Sequence, residues 1–224
     1  MKLIKRPFSY RYSNVVLWLI GINFIVFFAM MLFEDRYYLS LEISRFRTYR
    51  IDILTWFLSM SPLNVTQGHV WTFFTYMFVH GSFSHILFNM FALFIFGTQV
   101  ERHIGSREFL LFYLLTGTLA GILSFLVYII TGNYIIFLVG ASGAIFAVQL
   151  AYASFFPHSK IYIWGILPIK AWILVLGFAG LEVFFILTGS RGNVAHMTHL
   201  AGFAFGWLYL VIRLGINPLR SMRR

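Results

Sequence analysis

The chain contains no cysteine among its 224 residues. This absence excludes disulfide bonds, thiolate metal sites and a cysteine nucleophile. Charged residues are also scarce, at 11% of the chain, whereas a soluble domain is roughly a quarter charged. Hydrophobic residues make up 60%, and the mean hydropathy is +0.82. We therefore expect residues 1–224 to form one membrane domain without internal repeats, most of which faces lipid or other buried helices.

Acidic residues are fewer than basic ones: the chain has seven Asp and Glu against 17 Lys and Arg, so the net charge is +10. Such a charge can indicate nucleic-acid binding, but here the basic residues flank apolar segments, as topology signals do. We expect the lipid bilayer and not nucleic acid as a partner. Neither a phosphate-binding loop nor an acidic metal cluster is visible in the sequence. We accordingly expect no cofactor and no bound metal.

The apolar runs predict six membrane-spanning helices, because a spanning helix needs about 20 apolar residues. The predicted spans are Ser13–Phe33, Ser82–Val100, Phe109–Ile130, Gly140–Phe156, Ile166–Leu187 and Val194–Leu214. The first run is too long for a signal peptide and lacks a clear small-residue cleavage site, so we expect it to be retained. The sequence therefore predicts an all-α polytopic membrane protein built as a six-helix bundle.

The distribution of basic residues predicts that both termini lie in the cytoplasm. With that orientation, 12 of the 17 Lys and Arg residues are inside: Lys2, Lys5, Arg6, Arg11, Arg102, Arg107, Lys160, Lys170, Arg213, Arg220, Arg223 and Arg224. Residues 1–12 and 215–224 then form a basic cytoplasmic N-terminus and tail. Residues 34–81 form a long extracytoplasmic loop whose mixed aromatic and polar residues favour a position in the membrane interface.

Polar residues cluster where three of the spans begin. His80, His85 and Asn89 lie at the start of span two, Ser142 at the start of span four, and His196 and His199 at the start of span six. Even-numbered spans run from outside to inside, so these groups lie within about 10 Å of the outer boundary, at 1.5 Å per residue. Polar residues inside membranes are costly and usually functional. Their common depth predicts one site.

Small residues predict that spans four and six approach closely. Gly143 and Ala147 recur at four-residue spacing on span four, as do Gly202 and Gly206 on span six, and such faces let backbones meet. Taken alone, Ser142 has a simpler explanation, since most serines in membrane helices bond to their own backbone or only pack. The combination at one depth is what favours chemistry, because a serine hydroxyl reaches a histidine only where the backbones are close.

These motifs resemble those of the rhomboid intramembrane serine proteases. His80-Gly-Ser-Phe-Ser-His-Ile-Leu-Phe-Asn89 looks like the family's histidine–asparagine segment, and residues 97–106 look like the turn that follows it. Gly140-Ala-Ser-Gly143 resembles the nucleophile motif. His199-Leu-Ala-Gly202, with Gly206, resembles the base motif of the sixth helix. The resemblance extends over roughly residues 68–206 and implies a six-helix rhomboid-like bundle.

The resemblance also implies a role for each site residue. The catalytic pair would be Ser142 as nucleophile and His199 as general base, with no third acid. Oxyanion stabilisation would come from His85, Asn89 and Ala141, with the backbone N–H of Ser142 at a helix N-terminus. Supporting positions would be Gly140, Gly143, Phe146, which stacks on the base, His80, which has a structural role, and Gly202.

Two polar residues of the outer half are left without an assigned role. His196 and His199 share a helix face, and the glycine spacing selects His199 as the base, so His196 flanks the site. Glu182 lies in the outer half of span five, where an acid is costly. We expect it to make a packing or interhelical hydrogen-bond contact rather than to act as a latch for that helix.

The function predicted from these residues is hydrolysis of a peptide bond in a transmembrane segment of another protein, near the extracytoplasmic face of a prokaryotic inner membrane. The resemblance implies small residues before the cleaved bond. Two alternatives stay open: a non-catalytic rhomboid-like protein that binds clients, and a membrane protein whose His80, His85, His196 and His199 hold a metal ion. A transporter is a weaker third.

Overall fold

The computed structural model describes residues 8–33, 38–44, 47–163, 165–189 and 193–223. The helices are α1 (Val15–Phe33), α2 (Ile53–Leu58), α3 (Pro62–Thr66), α4 (Thr72–Thr75), α5 (Phe83–Ala92), α6 (Thr98–Ile104), α7 (Ser106–Ile130), α8 (Ser142–Phe155), α9 (Ala171–Leu187), α10 (Asn193–Ile212) and α11 (Pro218–Arg223). A 3-10 turn (Tyr76–Phe78) precedes α5, and a π-helical turn (Leu93–Gly97) joins α5 to α6.

The membrane spans agree with the apolar runs. Within the described residues, four helices are long and apolar enough to cross a membrane: Val15–Phe33, Phe83–Ile104, Ser106–Ile130 and Ala195–Ile212. Two shorter apolar helices, α8 and α9, occupy the fourth and fifth predicted spans. The polytopic helical fold is therefore confirmed, while the side of the membrane on which the termini lie stays a prediction.

Two antiparallel hairpins add to the helices. Within predicted loop 34–81, β1 (Tyr38–Ser44) pairs with β2 (Arg47–Asp52). The second hairpin, β3 (Lys160–Ile163) with β4 (Leu167–Lys170), shortens the fifth span, which begins at Ala171 and not at Ile166. A short apolar run does not distinguish a strand from a helix by composition.

Helix α8 lies at the centre of the bundle, against α7, α9 and α10. Its contact with α10 is backbone to backbone: a Cβ added at Gly202 would lie 2.0 Å from the carbonyl oxygen of Gly143, and one at Gly206 would lie 2.9 Å from the Cα of Ala147. The small-residue faces of the two helices thus meet as their spacing predicts. This approach brings the first turn of α8 against the third turn of α10.

Near the C-terminal end of α10, two buried acids hydrogen-bond neighbouring segments to one another. Glu108, at the start of α7, accepts hydrogen bonds from Arg213 at both Nε and Nη2, from the Tyr209 hydroxyl and from the Phe8 backbone N–H. Glu101 accepts the backbone N–H groups of Val15 and Val16, at 2.7 and 3.0 Å, and the Ser106 hydroxyl. The first amides of α1 are thus capped by a carboxylate from α6.

Candidate active site

Ser142 begins α8 directly after a tight turn. Gly140 has φ +112°, a left-handed conformation that L side chains rarely adopt, and its N–H donates to the carbonyl of Tyr76 at 3.0 Å. Ala141 is the N-cap, and its methyl side chain makes no hydrogen bond to the helix. The turn places the Ser142 hydroxyl and the first amides of α8 at the same end of the bundle as the start of α10.

The Ser142 hydroxyl points across to α10. Its Oγ lies 2.8 Å from Nε2 of His199. Ser154, on the same helix, shows the alternative behaviour, since its hydroxyl donates to the Leu150 carbonyl one turn back at 2.7 Å. Being the first residue of the helix, Ser142 has no preceding helical turn to which it could bond in that way. Both Ser142 and His199 keep part of their surface exposed.

The imidazole of His199 is held on its face as well as at its edges. The Phe146 ring, one turn after Ser142 on α8, stacks on it with centroids 4.3 Å apart and planes 8° from parallel. On the other edge, Nδ1 lies 2.9 Å from Oε1 of Glu182 on α9. Three helices, α8, α9 and α10, therefore converge on this ring.

Glu182 also contacts the second histidine of α10. Its Oε2 lies 2.5 Å from Nδ1 of His196, whose ring stacks on Phe185 at 5.0 Å. An ionised carboxylate only accepts hydrogen bonds, and its partner is then the Nδ1–H tautomer of each imidazole. In that tautomer, Nε2 of His199 is an acceptor, and it faces Ser142. The interhelical hydrogen-bond contact expected of Glu182 is confirmed, and it reaches the ring for which the resemblance implies no acid.

His85 and Asn89 lie against the turn that precedes Ser142. A Cβ added at Gly140 would be 2.7 Å from Cε1 and Nε2 of His85 and 3.6 Å from Nδ2 of Asn89. Asn89 is 8% exposed, and its Nδ2 has no hydrogen-bond partner among the described residues. A buried amide donor without a partner is costly and suggests a bond that forms in another state of the molecule.

His80 packs edge-on against His85, with ring centroids 5.0 Å apart, at the end of the loop that leads into α5. It is 3% exposed. Burial, and to a lesser extent the neighbouring His85, lowers the pKa of His80 to about 4. The residue is therefore neutral at physiological pH and belongs to the packing around the site.

All ten sequence-predicted residues lie in or next to this constellation. Gly143 and Gly202 form the close backbone contact, Gly140 and Ala141 form the turn, and Phe146 stacks on His199. What the sequence did not reveal is the contact between Glu182 and the two histidines. The available signal was an acid in the outer half of a span, at the depth of the other polar groups.

A metal ion could use part of this constellation. The carboxylate of Glu182 and one ring nitrogen each from His196 and His199 lie within 4.8 Å of one another. His80 and His85, the other members of the four-histidine alternative, are not part of that group. Ligands held about 2.0–2.1 Å from a tetrahedral zinc ion stand more than about 3 Å apart. The oxygen–nitrogen distances of 2.5 and 2.9 Å fit a shared proton better.

Comparison with known proteins identifies a domain family and several relatives. A rhomboid domain model matches residues 67–216. The chain is 33% identical over 146 residues to YdcA of Bacillus subtilis, whose name places it among rhomboid proteases, covering 65% of this chain and 68% of that protein. It is 40% identical over 82 residues to the rhomboid protease GluP of the same organism, covering 37% of this chain and 15% of GluP.

A plant relative is similar over a longer stretch. The Arabidopsis thaliana protein named RHOMBOID-like protein 12, mitochondrial, is 29% identical over 155 residues, which cover 63% of this chain and 46% of that protein. The chain thus spans about half or less of several of its relatives. From the domain match and the motifs at the meeting point of α5, α8 and α10, we conclude that this chain belongs to the rhomboid family of membrane proteins.

Proposed function

We propose that this protein is an intramembrane serine endopeptidase that cleaves transmembrane segments of other proteins. The observation that carries the proposal is the 2.8 Å distance between Oγ of Ser142 and Nε2 of His199. A nucleophile and a base at hydrogen-bonding distance are the minimum for acyl transfer. The names of two relatives, YdcA and GluP, both contain the words rhomboid protease and support the same reaction.

The chemistry runs in two halves. Ser142 Oγ attacks the substrate carbonyl while His199 Nε2 takes the hydroxyl proton, and the resulting oxyanion receives hydrogen bonds. Asn89 Nδ2, His85 and the N–H groups at the start of α8 are the donors next to that position. His199 then gives the proton to the leaving amine. A water molecule, deprotonated by His199, hydrolyses the acyl-enzyme and restores Ser142.

The position of the site decides what it can cut. Ser142 is the first residue of α8 and His199 lies in the second turn of α10. Both are partly exposed, which suits a reaction that consumes water. A helical substrate must unwind locally before its carbonyls become available, because its backbone is hydrogen-bonded within the membrane. We propose cleavage near the extracytoplasmic face of a prokaryotic inner membrane, with both termini in the cytoplasm and small residues before the cleaved bond.

The test is cleavage of a single-span reporter in liposomes by the wild type and by Ser142→Ala. We expect the variant to lose activity by at least about 10⁴-fold, as other serine hydrolases do without their nucleophile. Ser154→Ala is the matched control, because it removes a hydroxyl from the same helix. Among the described contacts, that hydroxyl donates only to the backbone carbonyl of Leu150. Undiminished cleavage by Ser142→Ala would refute the proposal, and binding of clients without turnover by the wild type would favour a non-catalytic role.

A further inference from the structure

Glu182 is the only acidic residue after Glu108 in the sequence. It is 8% exposed in an apolar helix, although burying a carboxylate is costly unless its oxygens are satisfied. Both oxygens are satisfied here, Oε1 by Nδ1 of His199 at 2.9 Å and Oε2 by Nδ1 of His196 at 2.5 Å. The acid is therefore tied directly to the ring that faces Ser142.

We propose that Glu182 is the positioning residue of the Ser142–His199 pair, completing a Ser–His–Glu relay in which His196 holds the second carboxylate oxygen. This inference rests on the proposed function and adds a third participant to it. Helix α8 supplies the nucleophile, α10 the base and α9 the acid. The relay forms only when all three helices are docked.

Stacking alone does not orient the base. The Phe146 ring lies flat against His199, with an interplanar angle of 8°, and so fixes the plane of the imidazole. Rotating the imidazole by about 180° around its bond to Cβ keeps that plane but turns Nε2 and Nδ1 away from their present partners. The hydrogen bond to Glu182 selects one of the two orientations, the one in which Nε2 faces Ser142.

The same bond selects the tautomer. Because a carboxylate accepts and does not donate, the proton of neutral His199 lies on Nδ1, and Nε2 keeps the lone pair that takes the serine proton. When that proton arrives, the ring becomes a cation beside the Glu182 carboxylate, which stabilises it. The acid keeps its charge throughout, so one proton moves, from Ser142 to His199.

His196 fixes the acid in turn. It holds Oε2 while its own ring stacks on Phe185 at 5.0 Å, so Glu182 is held at both oxygens. A carboxylate bound at one oxygen only could rotate away from His199. His196 therefore acts through Glu182, one step further from the reaction.

Two other roles of Glu182 compete with the relay: it could only hold α9 against α10, or it could bind a metal ion. Each role predicts a different result. If the acid only fastens α9 to α10, its loss should resemble any loosening of α9 and change substrate access, which is seen in KM. If Glu182, His196 and His199 hold a metal ion instead, activity should depend on that ion. The relay predicts a loss of kcat with little change in KM, and no dependence on metal.

The experiment compares the wild type with Glu182→Gln, which keeps the shape and removes the charge, in proteoliposomes with a single-span reporter. We expect kcat to fall by about 10²-fold, less than the about 10⁴-fold drop for the analogous change in a soluble triad, since Phe146 still holds the ring. KM should stay within about threefold. Glu182→Asp, which keeps the carboxylate, should recover part of kcat, and His196→Gln should lose less than Glu182→Gln.

Val175→Ala is the matched control on α9. Val175 is buried, at 2% exposure, so the truncation loosens the packing of the helix without touching the relay. We expect it to leave kcat close to that of the wild type. A kcat for Glu182→Gln within about twofold of the wild type, or a change in KM alone that Val175→Ala reproduces, would overturn the inference. Loss of activity in EDTA with recovery in zinc would assign the cluster to a metal and overturn it too.

A spectroscopic readout covers the case in which Glu182→Gln does not fold. Ring ¹⁵N chemical shifts of histidine-labelled wild type report which nitrogen of His199 carries the proton. The relay requires Nδ1–H, and an Nε2–H tautomer would contradict it even without a variant. If the wild type neither cleaves the reporter nor reacts at Ser142, the proposed function itself fails; if it does both and Glu182→Gln equals it, only the relay fails.

Discussion

A buried glutamate lies at each end of α10, and the two glutamates have different hydrogen-bond partners. At the C-terminal end, Glu108 faces Arg213, a tyrosine hydroxyl and a backbone N–H, groups that hold their protons at physiological pH. At the N-terminal end, Glu182 faces two imidazoles, whose ring nitrogens can either donate or accept a hydrogen bond. Glu108 thus belongs to a fixed anchor, whereas Glu182 belongs to the cluster for which we propose a proton transfer.

The two ends also differ in how completely their polar atoms are paired. Both oxygens of Glu108 have hydrogen-bond partners, and the residue is fully buried. Near Ser142, the Nδ2 donor of Asn89 has none among the described residues, although it is buried. A saturated cluster contributes to stability, while an unused donor is what a developing charge requires. Three variants or conditions separate these two kinds of polar residue, and a fourth tests the helix contact between the two ends.

The largest effect should come from breaking the anchor. Glu108→Ala leaves Arg213 without its carboxylate, and losing one partner of a buried ion pair costs about 3–5 kcal/mol. We expect a marked fall in thermal stability in detergent, with the specific activity of the remaining folded protein unchanged. Arg107→Ala, at the neighbouring exposed position, should leave stability unaltered. Equal melting temperatures for Glu108→Ala and the wild type would show that the anchor does not stabilise the fold.

Asn89→Ala should lower activity without lowering stability, the reverse of Glu108→Ala. Removing one oxyanion donor typically lowers kcat by about 10²–10³-fold, or about 2.7–4 kcal/mol. Stability should not fall, because the lost Nδ2 has no partner among the described residues. Asn23→Ala is the control, since its buried amide donates to the Leu19 carbonyl of its own helix, away from the site. An unchanged kcat in Asn89→Ala would remove Asn89 from the reaction.

His80 predicts how acid destabilises the site end. Its folded-state pKa is about 4, below the 6.5 of the unfolded chain, so folding favours the neutral ring. Its contribution is complete above pH 6.5 and is lost as pH falls towards 4, amounting to about 3 kcal/mol at most. Melting curves from about pH 7 to 4 should show this loss, and His80→Gln should flatten it. The exposed His158→Gln should not, and a slope unchanged by His80→Gln would exclude this origin.

The smallest effect should come from the helix contact that supports both ends. Gly206→Ala places a methyl group 2.9 Å from Ala147, and such overpacking costs about 1–3 kcal/mol. Gly177→Ala, at an α9 position with nothing within 4 Å, is the matched control and should be neutral or slightly stabilising. Both variants can be ranked by thermal unfolding. A Gly206→Ala protein as stable as Gly177→Ala would mean that α8 and α10 separate without cost.

Much of this arrangement follows from the sequence, for physical reasons. Long apolar runs fix the spans, and the glycine spacing indicated the α8–α10 contact at Gly143 and Gly202, which the structure contains. The depth of each residue along its span could be calculated from the helical rise of about 1.5 Å per residue. That calculation placed Ser142 and His199 at one level, but it says nothing of the direction in which each helix faces.

The missing information concerns rotation and local pairing. Glu182 could have faced lipid, α8 or α10 at its depth, so its bonds to His196 and His199 required the packed bundle. The hairpin formed by β3 and β4 was not predicted, because Leu167–Lys170 is apolar enough to look like the start of the following helix. Nor could the sequence indicate that the Asn89 amide lacks a partner among the described residues, since that depends on every neighbour at once.

Covalent labelling with a fluorophosphonate, followed by mass spectrometry, tests whether His199 activates Ser142. We expect an adduct on the peptide that carries Ser142, with loss of fluoride, and none in Ser142→Ala. In His199→Ala, with Glu182 intact, labelling should slow by about 10²-fold or more. An adduct that forms elsewhere in the wild type, or labelling of Ser142 at the same rate without His199, would show that His199 does not activate Ser142.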